Sequence, residues 1–348
     1  MEGKDGHGPV LKYQPMSNTI LEVRNLKKYF PITKGLFSKV VNHVKAVDDI
    51  SFDIKEGETL GLVGESGCGK TTASRVILRL IEPTGGEVSF KGRDVFGLRG
   101  EDLRQFRKNV QIIFQDPYSS LNPRLTVGNI IAEGIGAHKI ASGPKKKEMV
   151  GELLEKVGLP AGYYNRYPHE FSGGQRQRIA IARALSLDPC LIICDEPVSA
   201  LDVSIQAQIL NLLAKLKKEL NLSYFFITHD LAVVEHVSDR IATMYMGEIV
   251  EIADAGEFYS NPLHPYTVAL LSANPSLDPA GRRRPIILKG DVPSSVEPPR
   301  GCRFHTRCPV AEEICAVERP GLENVSHGHM VRCHLVELSG PKAPIRIF

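Results

Sequence analysis

Residues 64–71 restrict the possible folds of this 348-residue sequence more than any other segment. They read Gly-Glu-Ser-Gly-Cys-Gly-Lys-Thr and fit the pattern G-x-x-x-x-G-K-[ST] without a gap. In such a loop, small residues let backbone N–H groups turn inward around phosphate oxygens, and the helix that follows adds the positive end of its dipole. We therefore expect a phosphate-binding loop here.

The same pattern predicts what the last residues of the loop do. Lys70 is expected to reach the β and γ phosphates of a nucleotide, and the Thr71 hydroxyl is expected to bind Mg²⁺. The residues predicted to contact ATP in this segment are Gly64, Glu65, Ser66, Gly67, Cys68, Gly69, Lys70, Thr71 and Thr72.

Apolar segments around the loop indicate an α/β fold. Residues 59–63 read as a strand before the loop, and residues 71–80 have helical periodicity after it. Further apolar strands are predicted at 111–114, 191–194 and 224–227. A strand, a glycine loop and a helix in this order begin a parallel sheet with helices packed on it.

Two adjacent carboxylates end the predicted strand at 191–194. Asp195 suits the coordination shell of a metal ion, and Glu196 suits the positioning or deprotonation of an attacking water. One carboxylate after a strand is common as a helix cap, but two in a chain with a phosphate loop indicate the second half of a nucleotide site.

A second glycine segment lies ahead of those carboxylates, as Ser172-Gly173-Gly174-Gln175. Ser172 fits an ordinary helix N-cap. Two glycines beside a helix N-terminus also make a phosphate-binding surface. Because the loop at 64–71 covers the phosphates from one side, this second surface is expected to come from another subunit.

With these motifs in this order, residues from about 20 to 255 resemble the ATP-binding cassette (ABC) family. The resemblance implies a P-loop NTPase (RecA-like) nucleotide-binding domain with a helical subdomain and an antiparallel β subdomain. It also implies that two cassettes face head to tail, so that the Ser172–Gln175 signature acts on the partner's ATP. Residues 171–175 are similar to the family signature, with Phe171 where Leu is commoner.

The resemblance implies further site residues. Gln115 looks like the glutamine that links the nucleotide to a transmembrane partner, and with Thr71 and Asp195 it is expected at the magnesium ion. Asp202 ends a D-loop-like Ser-Ala-Leu-Asp string, and His229 is placed as the switch histidine at the γ-phosphate. Phe30 occupies the position of an adenine-stacking aromatic, with Tyr29 as the neighbouring candidate.

Segments outside the shared motifs are similar to the ATP-binding subunits of oligopeptide/dipeptide importers. These are residues 115–124, the string His264-Pro265-Tyr266-Thr267 and a cysteine-bearing tail. The resemblance implies an ATP-hydrolysing subunit on the cytoplasmic face of the inner membrane. Its implied partners are a second, different ATPase subunit, two membrane permeases and, indirectly, an extracytoplasmic peptide-binding protein.

The tail contains four cysteines whose thiolates suit a tetrahedral metal site with soft ligands: Cys302, Cys308, Cys315 and Cys333. The family resemblance favours a [4Fe–4S] cluster. Zinc is an alternative, with His305, His327, His329 and His334 as spare ligands, and reduced thiols without a metal are another.

The predicted organisation is a leader (1–19), a cassette ATPase domain (20–260) that contains a helical subdomain at about 116–172, and a C-terminal module (261–348) that carries the four cysteines. The sequence has no apolar run of about 18 residues that could span a bilayer. Its charge of +3, from 43 Lys and Arg against 40 Asp and Glu, does not predict nucleic-acid binding. A soluble cassette ATPase acting on nucleic acid or ribosomes, and an importer ATPase for a cargo such as nickel chelates, are the alternatives.

Overall fold

The computed structural model describes residues 18–35, 38–273, 285–326 and 328–336. Residues 1–17 of the predicted leader lie outside these ranges. The strands are β1 (Thr19–Lys34), β2 (Lys39–Lys55), β3 (Thr59–Val63), β4 (Gly85–Phe90), β5 (Arg93–Asp94), β6 (Val110–Ile113), β7 (Leu191–Asp195), β8 (Ser223–Ile227), β9 (Arg240–Tyr245), β10 (Glu248–Asp254), β11 (Glu323–Ser326) and β12 (His329–Val331).

Helices connect most of these strands. They are α1 (Lys70–Ile77), α2 (Gly100–Asn109), α3 (Pro117–Ser120), α4 (Val127–Ala137), α5 (Gly143–Lys156), α6 (Gly173–Leu185), α7 (Val203–Leu220), α8 (Leu231–Val237), α9 (Ala255–Ser260), α10 (Pro265–Ala273) and α11 (Glu313–Val317). In the ranges that the structure describes, none of these helices is long and apolar enough to cross a bilayer.

The central sheet has eight strands in the order β11-β12-β10-β9-β3-β8-β7-β6. Strands β6, β7, β8, β3 and β9 pair in parallel, whereas β10, β12 and β11 pair antiparallel. All five residues of β3 are buried, as are those of β7 and β8, because parallel strands are covered by helices on both faces. Because β3, β8 and β7 are parallel neighbours, their carboxyl ends lie at the same edge of the sheet.

Helix α7 shows how the sequence selects one packed face. Its buried residues Ile209, Leu212, Leu213 and Leu216 recur at helical spacing and pack in the core beside β7 and β8. The helix ends at Asn221, which adopts a left-handed conformation with φ of 50°. Its last turn carries Lys217, where a cation complements the helix dipole.

A second, four-stranded antiparallel sheet has the order β2-β1-β4-β5. Its two long strands, β1 and β2, pair along nearly their whole length. Its apolar face packs with α1 and the central sheet in one core, which includes Leu26, Val47 and Leu62. Residues 117–170, by contrast, form only helices, 3₁₀ turns and loops between β6 and α6.

The C-terminal residues continue the central sheet rather than forming a detached unit. Strand β12 pairs with β10 through Glu251 with Val331 and Ile252 with Met330. The Arg332 N–H also donates to the Val250 carbonyl over 2.8 Å. The part of the tail that the structure describes is therefore packed directly against the strand that follows β9.

Candidate nucleotide site

The loop at 64–69 connects β3 to α1 and is pressed against its neighbours. Gly69 has φ of 111°, and a Cβ atom there would lie 2.0 Å from the Ala46 carbonyl oxygen of β2. Gly64 has φ of 154°, and its Cβ would lie 2.2 Å from the Met244 carbonyl oxygen of β9. Only glycine fits both positions, because the backbone conformation and the close approach each exclude a side chain.

Lys70 is folded back over this loop. Its side chain is buried, and its ammonium group donates to the carbonyl oxygens of Gly64 over 2.7 Å and of Glu65 over 3.0 Å. The Cys68 thiol lies beside it; burial raises the pKa of that thiol, and the Lys70 charge works in the opposite direction. The positive charge of Lys70 is therefore held by the loop at the wall of the adjacent cavity.

The cavity beside the loop has a volume of about 490 Å³. It is bounded by the loop and α1 on one side and by side chains at the ends of β6, β7 and β8 on the other. The lining residues are Ala46, Ser66, Gly67, Gly69, Lys70, Thr71, Thr72, Gln115, Glu196 and His229.

Thr71, which lines the cavity, contacts Asp195, which does not line it. The Thr71 hydroxyl donates to Asp195 Oδ1 over 3.0 Å, so the first turn of α1 is joined to the end of β7. Burial raises the pKa of Asp195, and the neighbouring Glu196 adds to that rise. A buried carboxylate beside a hydroxyl supplies the hard oxygen ligands that Mg²⁺ prefers, and a bound cation would offset the cost of the buried charge.

Glu196 is the centre of a second group of polar side chains. Gln115 Nε2 donates to Glu196 Oε2 over 2.9 Å, and His229 Nδ1 lies 3.3 Å from the same oxygen. Glu196 has a positive φ of 49°, and its N–H donates to the Ile227 carbonyl of β8 over 2.9 Å. The turn after β7 therefore aims the carboxylate into the cavity, between residues that follow β6 and β8.

Comparison with known protein families identifies the chain. Residues 47–199 match the ABC transporter family, and residues 250–315 match the oligopeptide/dipeptide transporter C-terminal region. The oligopeptide transport ATP-binding protein AppF of Bacillus subtilis is 56% identical over 320 residues, which cover 91% of this chain and 97% of that protein. The chain belongs to the ABC transporter family. A probable peptide ABC transporter ATP-binding protein of Sinorhizobium fredii is 52% identical, covering 92% of this chain and 91% of that relative.

Solved structures agree with the family. A dimeric ATP-binding cassette in a post-hydrolysis state, bound to ADP and Pi, is 29% identical with a TM-score of 0.60, covering 68% of this chain and 98% of that one. A second structure, cbiO1 from Clostridium perfringens, part of the ABC transporter complex cbiONQ, is 26% identical with a TM-score of 0.59, covering 70% of this chain and 92% of that one. The mixed α/β fold predicted from the sequence is thus that of an ABC ATPase cassette.

Not every predicted ATP residue lines the cavity of this cassette. Gly64, Glu65 and Cys68 belong to the loop but are not among the residues that line the cavity. Phe30 lies on β1, where the Lys28 ammonium sits 4.9 Å from its ring centre, and it is also outside the lining. Its adenine-stacking role stays a prediction.

The signature segment lies at the start of α6, outside the cavity. Ser172 and Gln175 form a reciprocal capping box, in which each side chain accepts from the other's backbone N–H. A Cβ at Gly174 would lie 2.4 Å from Ile205 Cγ2 of α7, so this glycine allows the two helices to pack closely. Asp202, just before α7, is exposed and also lies outside the cavity.

Two contributions to the site were missed by the sequence reasoning. Ala46 lines the cavity from β2, and no motif marks a lone alanine. Tyr266 and Arg307, from the C-terminal residues, both contact Glu65 of the phosphate loop. Tyr266 lies in the string that indicated the importer subtype, but nothing in that string indicated contact with the loop.

The four tail cysteines are free thiols in the structure. Burial raises the pKa of Cys302 to about 11 and of Cys333 to about 12, and neighbouring tail cysteines add to both shifts. Among the described residues, no group of three or more His, Cys, Asp or Glu side chains is arranged to hold a metal ion. The structure therefore does not support the predicted [4Fe–4S] cluster or the zinc alternative. Of the spare histidines, His327 lies outside the described residues.

Proposed function

We propose that this chain is the ATP-hydrolysing subunit that powers import of dipeptides or oligopeptides through a membrane permease pair. The observation that carries the proposal is that one chain combines a cavity lined by a phosphate loop and Glu196, with Asp195 bound to the lining residue Thr71, and a match to the oligopeptide/dipeptide transporter C-terminal region over residues 250–315. The names of the relatives at 51–56% identity support the same cargo class.

Glu196 is proposed as the residue that orients and deprotonates the attacking water. Its Oε2 is held by the Gln115 amide and faces His229 Nδ1, so the carboxylate is fixed in the cavity by residues from two neighbouring strands. A positioned general base of this kind contributes about 10²- to 10⁴-fold to a rate. His229 is proposed to contact the γ-phosphate, and Lys70 to exchange its loop carbonyls for the β and γ phosphates.

Thr71 and Asp195, with Gln115 nearby, are the residues proposed to hold Mg²⁺. The ion neutralises charge on the phosphates when bound. The chain's own contribution is to keep the Thr71 hydroxyl and the buried Asp195 carboxylate 3.0 Å apart before the nucleotide enters. Because α1 and β7 fix these two groups, the ligand geometry requires little rearrangement.

The position of the signature supports a partner cassette. Ser172 is exposed and, with Gly173, Gly174 and Gln175, lies outside the cavity of its own chain, as does Asp202. We propose that these residues complete the site of a second, different cassette subunit in a head-to-tail pair. The pair would dock on two permeases at the cytoplasmic face of the inner membrane and receive peptide indirectly from an extracytoplasmic binding protein.

The iron–sulfur cluster remains only an expectation from the family resemblance. Protein prepared without oxygen would decide it: a brown colour with absorbance near 400 nm, together with bound iron and sulfide, would restore the prediction. A colourless, iron-free preparation would leave the tail cysteines as structural thiols, in keeping with their full or partial burial.

The test of the proposed function is peptide-stimulated ATP hydrolysis by the complete transporter reconstituted in lipid vesicles. We expect hydrolysis to rise with peptide and binding protein, and a Glu196→Gln chain to bind MgATP while hydrolysis falls by about 10² or more. Stimulation by a nickel chelate instead of peptide would contradict the cargo. Co-purification with nucleic acid or ribosomes and no permease would contradict the transport role. Undiminished hydrolysis by Glu196→Gln would remove that residue from its proposed role.

A further inference from the structure

Glu65, the second residue of the phosphate loop, is bound through three different groups. Its carbonyl oxygen accepts from the Lys70 ammonium over 3.0 Å. Its N–H donates to the Tyr266 hydroxyl over 3.0 Å. Its carboxylate is paired with Arg307. One loop residue therefore connects the lysine proposed to contact ATP with two residues of the C-terminal region.

The Arg307 contact is a forked ion pair. Arg307 Nη1 donates to Glu65 Oε2 over 3.0 Å and to Oε1 over 3.3 Å, and Nη2 donates to Oε1 over 3.4 Å. The Arg307 side chain is only 10% exposed and that of Glu65 is 29% exposed. Such a pair is less screened by solvent than a surface ion pair, so its charge balance affects its surroundings.

Arg307 and Tyr266 are held in place by an aromatic cluster. Tyr245 of β9, Tyr266 of α10 and Phe304 pack with ring centres 4.7 to 5.4 Å apart, and all three are buried. The Tyr245 hydroxyl accepts from Arg307 Nη1 over 3.5 Å. These contacts fix the guanidinium group relative to β9, the strand next to β3 and its loop.

The negative charge of Glu65 bears on the affinity for the nucleotide, because it lies beside the proposed phosphate site. The next two residues, Ser66 and Gly67, line the cavity in which the phosphates are proposed to bind. A carboxylate beside a site for a highly negative ligand repels that ligand, and the repulsion is larger where the surroundings are partly desolvated. The Arg307 guanidinium cancels this charge locally.

We propose that Arg307 is a positioning residue that neutralises Glu65, so that the C-terminal region sets the affinity of the phosphate loop for the nucleotide. The Tyr266 hydroxyl supports the same contact by fixing the Glu65 backbone. This inference rests on the proposed binding of ATP at residues 64–72. It assigns the C-terminal region a role at the ATP site in addition to any role in recognising the transporter.

The test measures the Kd for MgATP by calorimetry on the full chain. Arg307→Ala is expected to raise the Kd about fivefold or more, the lower range of coupling between distinct sites. Arg307→Lys keeps the charge and should stay near the wild-type Kd. The double variant Glu65→Gln/Arg307→Ala, which removes both members of the pair and leaves the local net charge unchanged, should return to near the wild-type Kd. The Arg307→Ala effect should also shrink at high salt, because repulsion of the phosphates is screened.

Arg319→Ala is the matched control. Arg319 also anchors the C-terminal region to the cassette, through Glu248 at 2.6 Å and the Asp48 carbonyl at 3.1 Å, but it does not touch the phosphate loop. It should therefore leave the Kd unchanged.

Several results would overturn the inference. They are an unchanged Kd in Arg307→Ala, an equal rise in Arg319→Ala, or a double variant that binds MgATP as weakly as Arg307→Ala does. If Arg307→Ala does not fold, Arg307→Gln, which keeps much of the side-chain length but removes the charge, takes its place: it should raise the Kd likewise, and an unchanged Kd would overturn the inference. A wild-type chain that binds no MgATP would instead refute the proposed function itself.

Discussion

The buried Arg303 side chain gives the sharpest prediction about stability. Its Nε lies 2.7 Å from Glu248 Oε1, and its guanidinium also pairs with Asp48 and donates to the Met246 carbonyl. The side chains of Arg303 and Asp48 are each only 6% exposed. We predict that Arg303→Met, which keeps much of the length but removes the charge, strongly lowers the free energy of unfolding.

The magnitude follows from the partners that remain. Removing one member of a buried ion pair costs about 3–5 kcal/mol, because the other charge stays buried without compensation. Glu248 keeps Arg319 at 2.6 Å, and Asp48 keeps the hydroxyl of Tyr29, which donates to it. We therefore expect the lower end of that range, about 3 kcal/mol. With a urea slope of about 3 kcal/mol per M, the unfolding midpoint should fall by about 1 M.

The loss should depend on pH through Asp48. Burial acts to raise the pKa of Asp48, but the Tyr29 hydrogen bond and the charges of Arg303 and Arg319 outweigh it and lower the pKa. A carboxyl whose pKa is lowered by folding adds stability above its unfolded pKa of about 4, and that stability is lost as the pH falls through the folded pKa. The difference between wild type and Arg303→Met should therefore be largest near pH 7 and shrink in acid.

Urea unfolding followed by circular dichroism at pH 7.5 and at about pH 3, below the unfolded pKa of the carboxyl, tests both statements. Arg300→Met is the matched control, since Arg300 is exposed and should change the free energy by no more than about 0.5 kcal/mol. An Arg303→Met chain within about 1 kcal/mol of wild type at pH 7.5, or a difference that does not change with pH, would refute the reasoning.

Three further predictions concern the cavity and the core. Gly69→Ala should abolish MgATP binding in calorimetry, because its Cβ would lie 2.0 Å from the Ala46 carbonyl oxygen; retained binding would contradict the rigidity of the loop. Thr71→Val should raise the Mg²⁺ concentration needed for half-maximal hydrolysis about tenfold or more, since the hydroxyl that contacts Asp195 is lost, and an unchanged Mg²⁺ dependence would remove Thr71 from the metal site. Phe225→Ala should cost about 3–5 kcal/mol of unfolding free energy, as this ring is fully buried; a urea midpoint near wild type would show that the core collapses around the vacancy.

Local patterns account for what the sequence predicted well. The strands predicted at 191–194 and 224–227 are β7 and β8, because continuous apolar runs are typical of buried parallel strands. The apolar spacing along α7 likewise marks the face that is buried. The site residues at the ends of β3 and β7 follow from the same logic, since the carboxyl ends of neighbouring parallel strands lie side by side.

The remaining features depend on contacts that are distant in the chain. Arg307 and Glu65 are separated by 242 positions, and no local pattern relates them. The pairing of β12 with β10 is equally remote from composition or periodicity. The cysteine spacing suggested a metal site, but spacing alone does not fix where the thiols point, and the described residues contain no group arranged to hold a metal ion.

The pairing of β12 with β10 also determines how the cassette can be shortened. Residues of β10 from Glu248 to Ala253 are buried, and β12 pairs with the outer side of β10 while β11 pairs with β12 beyond it. A chain cut before residue 323 would present that apolar strand as an open sheet edge, which is a template for another copy to add to. Truncation to the cassette alone would therefore produce self-association in place of a smaller, well-behaved ATPase.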